Sequence, residues 1–392
     1  MNKKSSQIIA LFLCCILFFV AFSGCIENDQ KSEEKILSVP EVKLDQPSVL
    51  PDWKDGEYHD YYETIDMLSD FKVKHPGLVN VFSIGKSVLG KDIWCIRITN
   101  EKNTKQKSSC LVTGCIHGCE WEGCDACLYL SEYLLINFDA NETINHILNS
   151  SEVYIIPLVN PDGRQEDVRW NENGIDLNRN FDVDFGRLWG TSIPLGKLFG
   201  RIKIPYIDTT RLNKWFPKII PSFLFNCGRR PFSEPETQAI RDFMMDLGDS
   251  DFSFYFEYHT AWHTFGGSWL VYKPPFEIPK QEQYVLDYVI DWVVENTEYE
   301  QEENNPNVIK LSGNLQDWCY KEFRIPSFGI EILTPDYDTY TGGGKHDHLV
   351  HWMKTVLPVP MYLLVNIDNL REWKTPDIQP SLPDDVPPEP LK

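Results

Sequence analysis

The sequence has too few basic residues for a protein that grips nucleic acid without regard to its sequence. Its 37 Lys and Arg residues face 58 Asp and Glu residues, so the formal net charge of the 392-residue chain is −21. Non-specific binding to a phosphate backbone requires a basic surface. We therefore expect no nucleic-acid partner, and the negative charge mainly favours solubility.

The N-terminus lacks an apolar run long enough for a membrane span. Its uninterrupted apolar run, Ile8–Phe22, is shorter than the roughly 20 residues that a transmembrane helix needs. It follows Lys3 and Lys4, as in a signal peptide, and it ends in "AFSGC", which resembles a lipoprotein signal. We predict that residues 1–24 are a signal peptide and that Cys25 carries a lipid anchor to the membrane of an exported protein. The alternatives are a secreted protein with an ordinary signal peptide and an uncleaved anchor.

The remainder of the chain shows no internal repeat and no clear linker, so we predict one domain over residues 51–372. Residues 25–50 are polar and interrupted by proline, which is typical of a tether. Residues 373–392 form a proline-rich acidic tail. An insertion at about 190–227 is basic and aromatic. This segment could contact a membrane, or it could form a wall of the substrate groove. We favour a third interpretation, in which it is a surface segment that packs against the domain.

Strand-like and helix-like segments alternate within this domain. The predicted strands are Leu78–Ile84, Ile93–Ile98, Cys110–Cys115, Val153–Val159, Phe252–His259, Ser268–Tyr272 and Ser327–Leu333. The predicted helices are Tyr58–Lys74, Glu120–Asn137, Gln281–Asn296 and Leu349–Leu370. Long apolar strands separated by helices favour the α/β class. We predict a single α/β/α domain, in which a mixed, mostly parallel central sheet is covered by helices on both faces.

The sequence has little of the paired Cys-x-x-Cys spacing that marks structural zinc sites. Cys115, Cys119, Cys124 and Cys127 offer four thiols, but only the last two have this spacing, and they fall in a predicted helix. We therefore favour buried thiols or disulfides over a structural zinc or iron–sulfur site. Eight cysteines remain beyond Cys25, and an even number in an exported chain permits disulfides whose pairing the sequence does not give.

The stretch "CIHGCEWEGC" places His117 and Glu120 just past the end of the predicted strand Cys110–Cys115. Ligands bind at the carboxyl ends of strands in open α/β sheets. A spacing of three lets an imidazole and a carboxylate converge on one ion at the start of a helix, and catalytic zinc commonly takes two His and one Glu. A single His-x-x-Glu pattern is weak on its own, because it occurs by chance in many proteins.

Four further segments give this pattern weight. Together the five segments resemble the motifs of the zinc carboxypeptidases, the family similar to carboxypeptidase A. The motifs occur in the same order as in that family, and the resemblance covers roughly residues 56–370. The segments are "HGCEWEG" (His117–Gly123), "NPDGRQEDVRWNENGIDLNRNF" (Asn160–Phe181), "FSEPETQAIRDF" (Phe232–Phe243), "EYHTAW" (Glu257–Trp262) and "SGNLQDWCYKEFRIPSFGIEI" (Ser312–Ile332).

The resemblance implies a metal site with one Zn²⁺ per chain. His117, Glu120 and His259 would be the zinc ligands. Asp176 would accept a hydrogen bond from the outer nitrogen of His117, the contact that fixes a ligand's tautomer. Glu331 would be the general base that deprotonates the zinc-bound water and returns the proton to the leaving amine.

The resemblance also implies a binding site for the end of a peptide. Arg169 would stabilise the oxyanion, while Asn178 and Arg179 would hold the terminal carboxylate of the substrate, a group that the planar fork of a guanidinium suits. Gln316 falls at the pocket-floor position that helps to set side-chain preference, and it is neither acidic nor plainly apolar.

The chain departs from the pancreatic-type members of the family at two places. Cys119 stands where they have an arginine between the first two ligands, which puts an extra contact to longer substrates in doubt. An ungapped alignment puts Ile309 where they have the tyrosine that closes over the substrate. Tyr337 and Tyr340 are the candidate replacements.

Other histidines compete for the role of third ligand. His263 lies four residues after His259, a spacing that would share one face of a helix, but the preceding residues alternate like a strand and "FGG" follows. His346, His348 and His351 lie at the entry to the last predicted helix, where a solvated face is the favoured interpretation.

These observations predict a zinc metallocarboxypeptidase whose partners are the C-termini of peptides or proteins. The first alternative is a related zinc amidohydrolase that acts on acyl-amino acids or cell-wall peptides. The second is an inactive relative that binds peptides without hydrolysing them. Candidates for every catalytic role are present, which favours the enzyme.

Overall fold

The segments that carry the predicted site lie on one mixed β-sheet and on the turns that follow its strands. A computed structural model of the chain describes residues 48–194, 201–208, 226–248, 252–262, 269–270, 279–297, 299–301, 310–311, 313–334 and 348–371. The signal peptide, Cys25, most of the tether and the acidic tail lie outside the described residues, so these remain predictions. The same holds for Ile309, Tyr337 and Tyr340.

Eleven strands form two sheets in the described part of the chain. They are β1 Val79–Lys86, β2 Asp92–Ile98, β3 Ser108–Thr113, β4 Ser151–Ile156, β5 Arg187–Pro194, β6 Arg201–Asp208, β7 Phe252–Trp262, β8 Trp269–Leu270, β9 Glu300–Gln301, β10 Lys310–Leu311 and β11 Ser327–Thr334. The main sheet has the order β1-β2-β4-β3-β7-β11-β8-β9. Its centre, from β4 through β3 and β7 to β11, is parallel. β1 and β2 pair antiparallel with their neighbours, and β8 pairs antiparallel with β11 and parallel with β9.

Helices connect and cover these strands. They are α1 Tyr61–Lys74, α2 Trp121–Asn137, α3 Glu142–Ser150, α4 Pro161–Glu166, α5 Pro235–Leu247, α6 Lys280–Asn296, α7 Leu315–Phe323, α8 Leu349–Val356, α9 Pro358–Val365 and α10 Ile367–Arg371, with a 3₁₀ turn at Leu177–Arg179. Among the described helices, none combines the length and the apolar character that crossing a bilayer requires.

Helices α2 and α7 lie on opposite faces of the main sheet. Successive side chains of a strand point to opposite faces. A Cβ placed on Gly123 of α2 would lie 3.5 Å from Cβ of Tyr258, whereas Gln316 of α7 lies beside Gly329 and Glu257, on the other face. The predicted class, a mixed and mostly parallel sheet with helices on both faces, is confirmed.

The last predicted helix is wrong in one respect. We expected one helix over Leu349–Leu370, but the chain forms three short helices there, α8, α9 and α10. Pro358 and Pro360 have no backbone N–H to continue the helical hydrogen bonds. The backbone N–H of Asn366 is shared among carbonyls of the preceding turn, which ends α9.

The first part of the predicted insertion contributes to a second, three-stranded sheet. β5 and β6 pair antiparallel, with Trp189 opposite Tyr206, and β10 pairs antiparallel with β5 on its other side. Residues 195–200 and 209–225 lie outside the described ranges. The role of the insertion therefore stays a prediction.

The described cysteines are buried. Cys95, Cys110, Cys115, Cys124, Cys127 and Cys319 form no disulfide. Burial raises the pKa of the Cys124 thiol to about 12, so this side chain stays a neutral thiol at physiological pH. Of the two interpretations that we favoured, buried thiols and disulfides, these six residues agree with the first.

Candidate metal centre

Three side chains that commonly bind metal meet at the carboxyl ends of β3 and β7. Nδ1 of His117 lies 2.7 Å from Oε1 of Glu120, and Nδ1 of His259 lies 2.8 Å from Oε2 of the same carboxylate. The side chains are almost completely buried, and one ligand atom of each lies within 4.8 Å of the others. Among the described His, Cys, Asp and Glu residues, this is the group whose geometry suits a bound metal ion.

The turn after β3 brings His117 and Glu120 together. Cys115 takes a left-handed conformation, with φ of 51°, which turns the chain sharply at the end of the strand. The N–H of Gly118 then donates to the carbonyl of Arg169 at 3.3 Å, and the N–H of Glu120 donates to the carbonyl of His117 at 3.1 Å. Glu120 is the N-cap residue that precedes α2, so its carboxylate lies between the end of β3 and the start of that helix.

Gly118 allows this turn to pack against a neighbouring loop. A Cβ on Gly118 would lie 2.0 Å from the carbonyl carbon of Gly163 and 2.4 Å from the nitrogen of Arg164. Both are backbone atoms, which cannot rotate away as a side chain can. Only glycine fits at position 118 without moving one of the two loops.

Carboxylate and guanidinium groups surround the inner cluster. Nε2 of His117 lies 3.1 Å from Oδ1 of Asp176, as the resemblance implies. Arg169 donates from Nε to Oδ2 of Asp176 at 3.0 Å and from Nη1 to Oε1 of Glu120 at 3.3 Å. Burial alone would raise the pKa of Asp176, but the charge of Arg169 and the hydrogen bond with His117 hold it well below its usual range. Asp176 is therefore a carboxylate that can accept from His117.

Glu331 lies on the strand next to His259. In the parallel pairing of β11 with β7, Glu331 is directly opposite His259. Burial raises the pKa of Glu331 to about 7, against the opposing effect of the nearby His259 imidazole. A carboxyl group with a pKa in this range can both take up and release a proton near neutral pH.

The residues assigned to substrate binding lie beside the same cluster. Oδ1 of Asn178 accepts from the N–H of Leu315 at 2.8 Å, and Nδ2 of Asn178 lies 3.2 Å from Nε2 of His259. Arg179 donates from Nη1 to the carbonyl of Asn178. Gln316 is buried, and its Nε2 donates to the carbonyl of Ser327 at 3.0 Å.

The competing histidines are outside this cluster or outside the described residues. His348 and His351 are exposed at the start of α8, in agreement with a solvated face. His263 and His346 are not among the described residues. Cys115, Cys119, Cys124 and Cys127 do not form a metal-binding group in the described structure.

The sequence analysis missed one residue beside the site, Glu257. Its side chain is 2% exposed, and Oε1 lies 3.2 Å from Nε2 of His259. The alternation of "FYFEYH" contained the signal for it, because Glu257 lies two residues before His259. Residues two apart on a strand point to the same face of the sheet.

Comparisons with known proteins agree with the motifs and the fold. A family model described as "Zinc carboxypeptidase" matches residues 64–342. A zinc carboxypeptidase of Saccharothrix mutabilis subsp. capreolus is 29% identical over 179 residues, which cover 41% of this chain and 41% of that protein. Carboxypeptidase D of Mus musculus is 27% identical over 164 residues, covering 38% of this chain and 12% of that protein. The matched parts are therefore less than half of these relatives.

A solved structure shows the same fold. The crystal structure of the carboxypeptidase A from Helicoverpa armigera superimposes with a TM-score of 0.58, covering 81% of this chain and 74% of that one. The sequence identity is 20%, so the likeness concerns the fold alone.

The packing of Gly118 predicts that Gly118→Ala weakens metal binding. The added Cβ must displace the turn that carries His117 and Glu120, and overpacking of this kind typically costs about 1–3 kcal/mol of unfolding free energy. We expect the zinc dissociation constant, measured by competition with a chelator, to rise about tenfold or more.

Gly77→Ala is the matched control, because a Cβ at Gly77 meets no atom within 4 Å. Its zinc affinity and unfolding free energy should stay near those of the unmodified protein. Equal values for the two variants would show that the close approach of Gly118 to Gly163 does not position the ligands.

Proposed function

Because this chain belongs to the zinc carboxypeptidase family, we propose that it is a zinc-dependent carboxypeptidase that removes C-terminal residues from peptides or proteins. The observation that carries the proposal is the convergence of His117 and His259, through their Nδ1 atoms, on the two oxygens of Glu120. Arg169 contacts that carboxylate, and Glu331 lies opposite His259.

The residues at the cluster fit one zinc ion per chain. Two imidazoles and one carboxylate are a common ligand set of catalytic zinc. Both Nδ1 atoms point to the same carboxylate, and Nε2 of His117 faces Asp176, the arrangement that a histidine ligating through Nδ1 needs. Zinc bound there would supply a Lewis acid that polarises the scissile carbonyl and lowers the pKa of a water molecule.

Glu331 is the proposed proton carrier of the reaction. Its carboxylate would take a proton from the attacking water and give it to the amine that leaves. The raised pKa, about 7, suits both halves of this transfer. Its place on β11, directly opposite His259, keeps the carboxylate beside the ligands without making it one of them.

Arg169 is the proposed stabiliser of the oxyanion. Its described hydrogen bonds engage Nε and Nη1, which leaves Nη2 to donate to a developing negative charge. The contacts with Asp176 and Glu120 fix the guanidinium before substrate arrives, so that little reorganisation is needed during the reaction.

Asn178 and Arg179 are proposed to bind the carboxylate at the end of the substrate. The oxygen of the Asn178 side chain is held by the N–H of Leu315, so the amide presents its N–H₂ group to the site. A guanidinium beside it adds a charged fork for the same carboxylate. Gln316, fixed by Ser327, would form a neutral amide floor to the pocket.

The proposed activity predicts release of free amino acids from a mixed peptide pool by the zinc-loaded protein. Peptides with a free C-terminal carboxylate should be shortened. The same peptides with an amidated C-terminus should be degraded at least about tenfold more slowly, because the loss of a charged partner costs 1.5 kcal/mol or more. Mass spectrometry of the products measures both.

The alternatives give different results in the same assay. Hydrolysis confined to N-acyl-amino acids or cell-wall peptides would assign the chain to a zinc amidohydrolase. Tight peptide binding without release, in the presence of stoichiometric zinc, would assign it to a binding protein.

The proposed role of Glu331 predicts that Glu331→Gln loses hydrolysis and keeps zinc. A glutamine cannot accept and return a proton as a carboxylate does, so kcat should fall about 10²-fold or more. Metal analysis should still find zinc, because all three ligands are intact. Glu322→Gln, an exposed position on α7, is the control and should keep full activity. Near-normal turnover of Glu331→Gln would reject this mechanism.

We also propose that the protein is exported and anchored to a membrane by lipid on Cys25. The support is the sequence alone, with Lys3 and Lys4 before the apolar run Ile8–Phe22 and "AFSGC" after it.

The lipid anchor predicts that Cys25→Ser moves the protein from the membrane fraction to the soluble exported fraction. Cys15→Ser, within the predicted signal peptide, should leave the protein with the membrane. Fractionation followed by immunoblotting measures the distribution. A Cys25→Ser protein that stays with the membrane after residues 1–24 have been removed would exclude the anchor at this residue.

A further inference from the structure

Strand β7 carries a row of polar side chains on the face that holds the metal cluster. Tyr255, Glu257 and His259 alternate with Phe254, Phe256 and Tyr258, so the first three share one face. Tyr255 is fully buried and Glu257 is 2% exposed. A carboxylate is costly to bury unless hydrogen-bond donors surround it, so its partners indicate what it does there.

Glu257 is held from behind by two hydroxyl groups in series. The hydroxyl of Tyr255 donates to Oε2 of Glu257 at 2.9 Å. The hydroxyl of Thr113, on the neighbouring strand β3, lies 2.6 Å from the Tyr255 oxygen. Since the single phenolic proton is given to Glu257, Thr113 is the donor in the second contact. These bonds fix the carboxylate with its other oxygen, Oε1, 3.2 Å from Nε2 of His259.

Metal binding by His259 requires an acceptor at its other nitrogen. Nδ1 points to Glu120, so a histidine that ligates through Nδ1 carries its proton on Nε2. Two described groups lie 3.2 Å from Nε2, namely Oε1 of Glu257 and Nδ2 of Asn178. The amide of Asn178 is oriented by the N–H of Leu315, which binds its oxygen, so Nδ2 can only donate. Of these two, only Glu257 can accept the proton.

We propose that Glu257 is a positioning residue that holds His259 in the tautomer needed to bind the metal, and this inference rests on the proposed function. It would act on His259 as Asp176 acts on His117, so that each imidazole has a carboxylate behind it. With the Nε2 proton directed to Glu257, the N–H₂ group of Asn178 would direct its own protons away from His259, since two donors repel each other.

Gly329 provides the space that Glu257 occupies. It lies opposite Glu257 in the pairing of β11 with β7. A Cβ at Gly329 would lie 3.2 Å from Cγ of Glu257 and 3.1 Å from Oε1 of Gln316. Both distances are tighter than ordinary contact, so an alanine there would move Glu257 while leaving every polar group of the site in the chain.

The test is Glu257→Gln, which keeps the size of the side chain and removes its charge. We expect the zinc dissociation constant of the substrate-free protein, measured with a competing chelator, to rise about 10- to 100-fold. The absorption spectrum of the cobalt(II)-substituted protein should also change, because it reports the orientation of the ligands. Glu282→Gln is the matched control. It alters a buried glutamate that binds Tyr320 and Arg324 rather than the site, and it should change neither readout.

Wild-type zinc affinity together with an unchanged cobalt spectrum in a folded Glu257→Gln protein would overturn the inference. If that variant does not fold, Gly329→Ala serves instead. It should weaken zinc binding at least about threefold and shift the cobalt spectrum, and an unaltered site in Gly329→Ala would equally overturn the inference. Failure of the unmodified protein to bind zinc at all would reject the proposed function instead, which separates the two results.

Discussion

The burial of one charged carboxylate, that of Glu120, sets the arrangement of the surrounding residues. Burial by itself would raise the pKa of Glu120, but the imidazoles of His117 and His259 lower it well below its usual range. Arg169 and the backbone N–H of Thr260 also donate to it, at 3.3 Å each. A buried charge is tolerated only when partners of this kind surround it. The fold must therefore deliver all of these groups to one point.

The parallel centre of the sheet is what delivers them. β3, β7 and β11 run side by side in the same direction, so the segments that leave their carboxyl ends meet at one edge. His117 and Glu120 follow β3, and Glu331 lies on β11. His259 lies on β7, 139 positions after Glu120 in the chain. The close packing of Gly118 against Gly163 then fixes the height of the first two ligands relative to the sheet.

The part of the metal site that could be predicted from the sequence is the part that a local sequence pattern marks. The position of His117 and Glu120 could be inferred from a strand followed by a His-x-x-Glu spacing, because both features lie within a few residues. His259 carries no such local mark. The resemblance to the family selected it, and the strand-like alternation before it, with "FGG" after it, argued against His263. The alternation within β7 places Glu257 on the face of His259, but it does not show the contact of Tyr255 with Thr113 of β3, on which the fixed position of Glu257 depends.

The same distinction holds for the fold. The parallel strands were predicted because buried strands are long and apolar. The last helix was predicted as continuous over Leu349–Leu370, although Pro358 and Pro360 remove two of its backbone donors. The second sheet was not predicted, since β10 joins β5 from more than a hundred residues away and is two residues long.

The charges around the cluster show why a divalent cation suits it. Glu120, Asp176, Glu257 and Glu331 supply four carboxylates, and Arg169 contacts two of them, while Arg179 adds a second guanidinium that lowers the pKa of Asp176. With neutral imidazoles, negative charges exceed positive charges by two when Glu331 is ionised and by one when it is protonated. A buried excess of that size is unfavourable in a protein interior. A doubly charged metal ion between His117 and His259 neutralises it, and it does so at the point toward which Glu120 and both Nδ1 atoms already face.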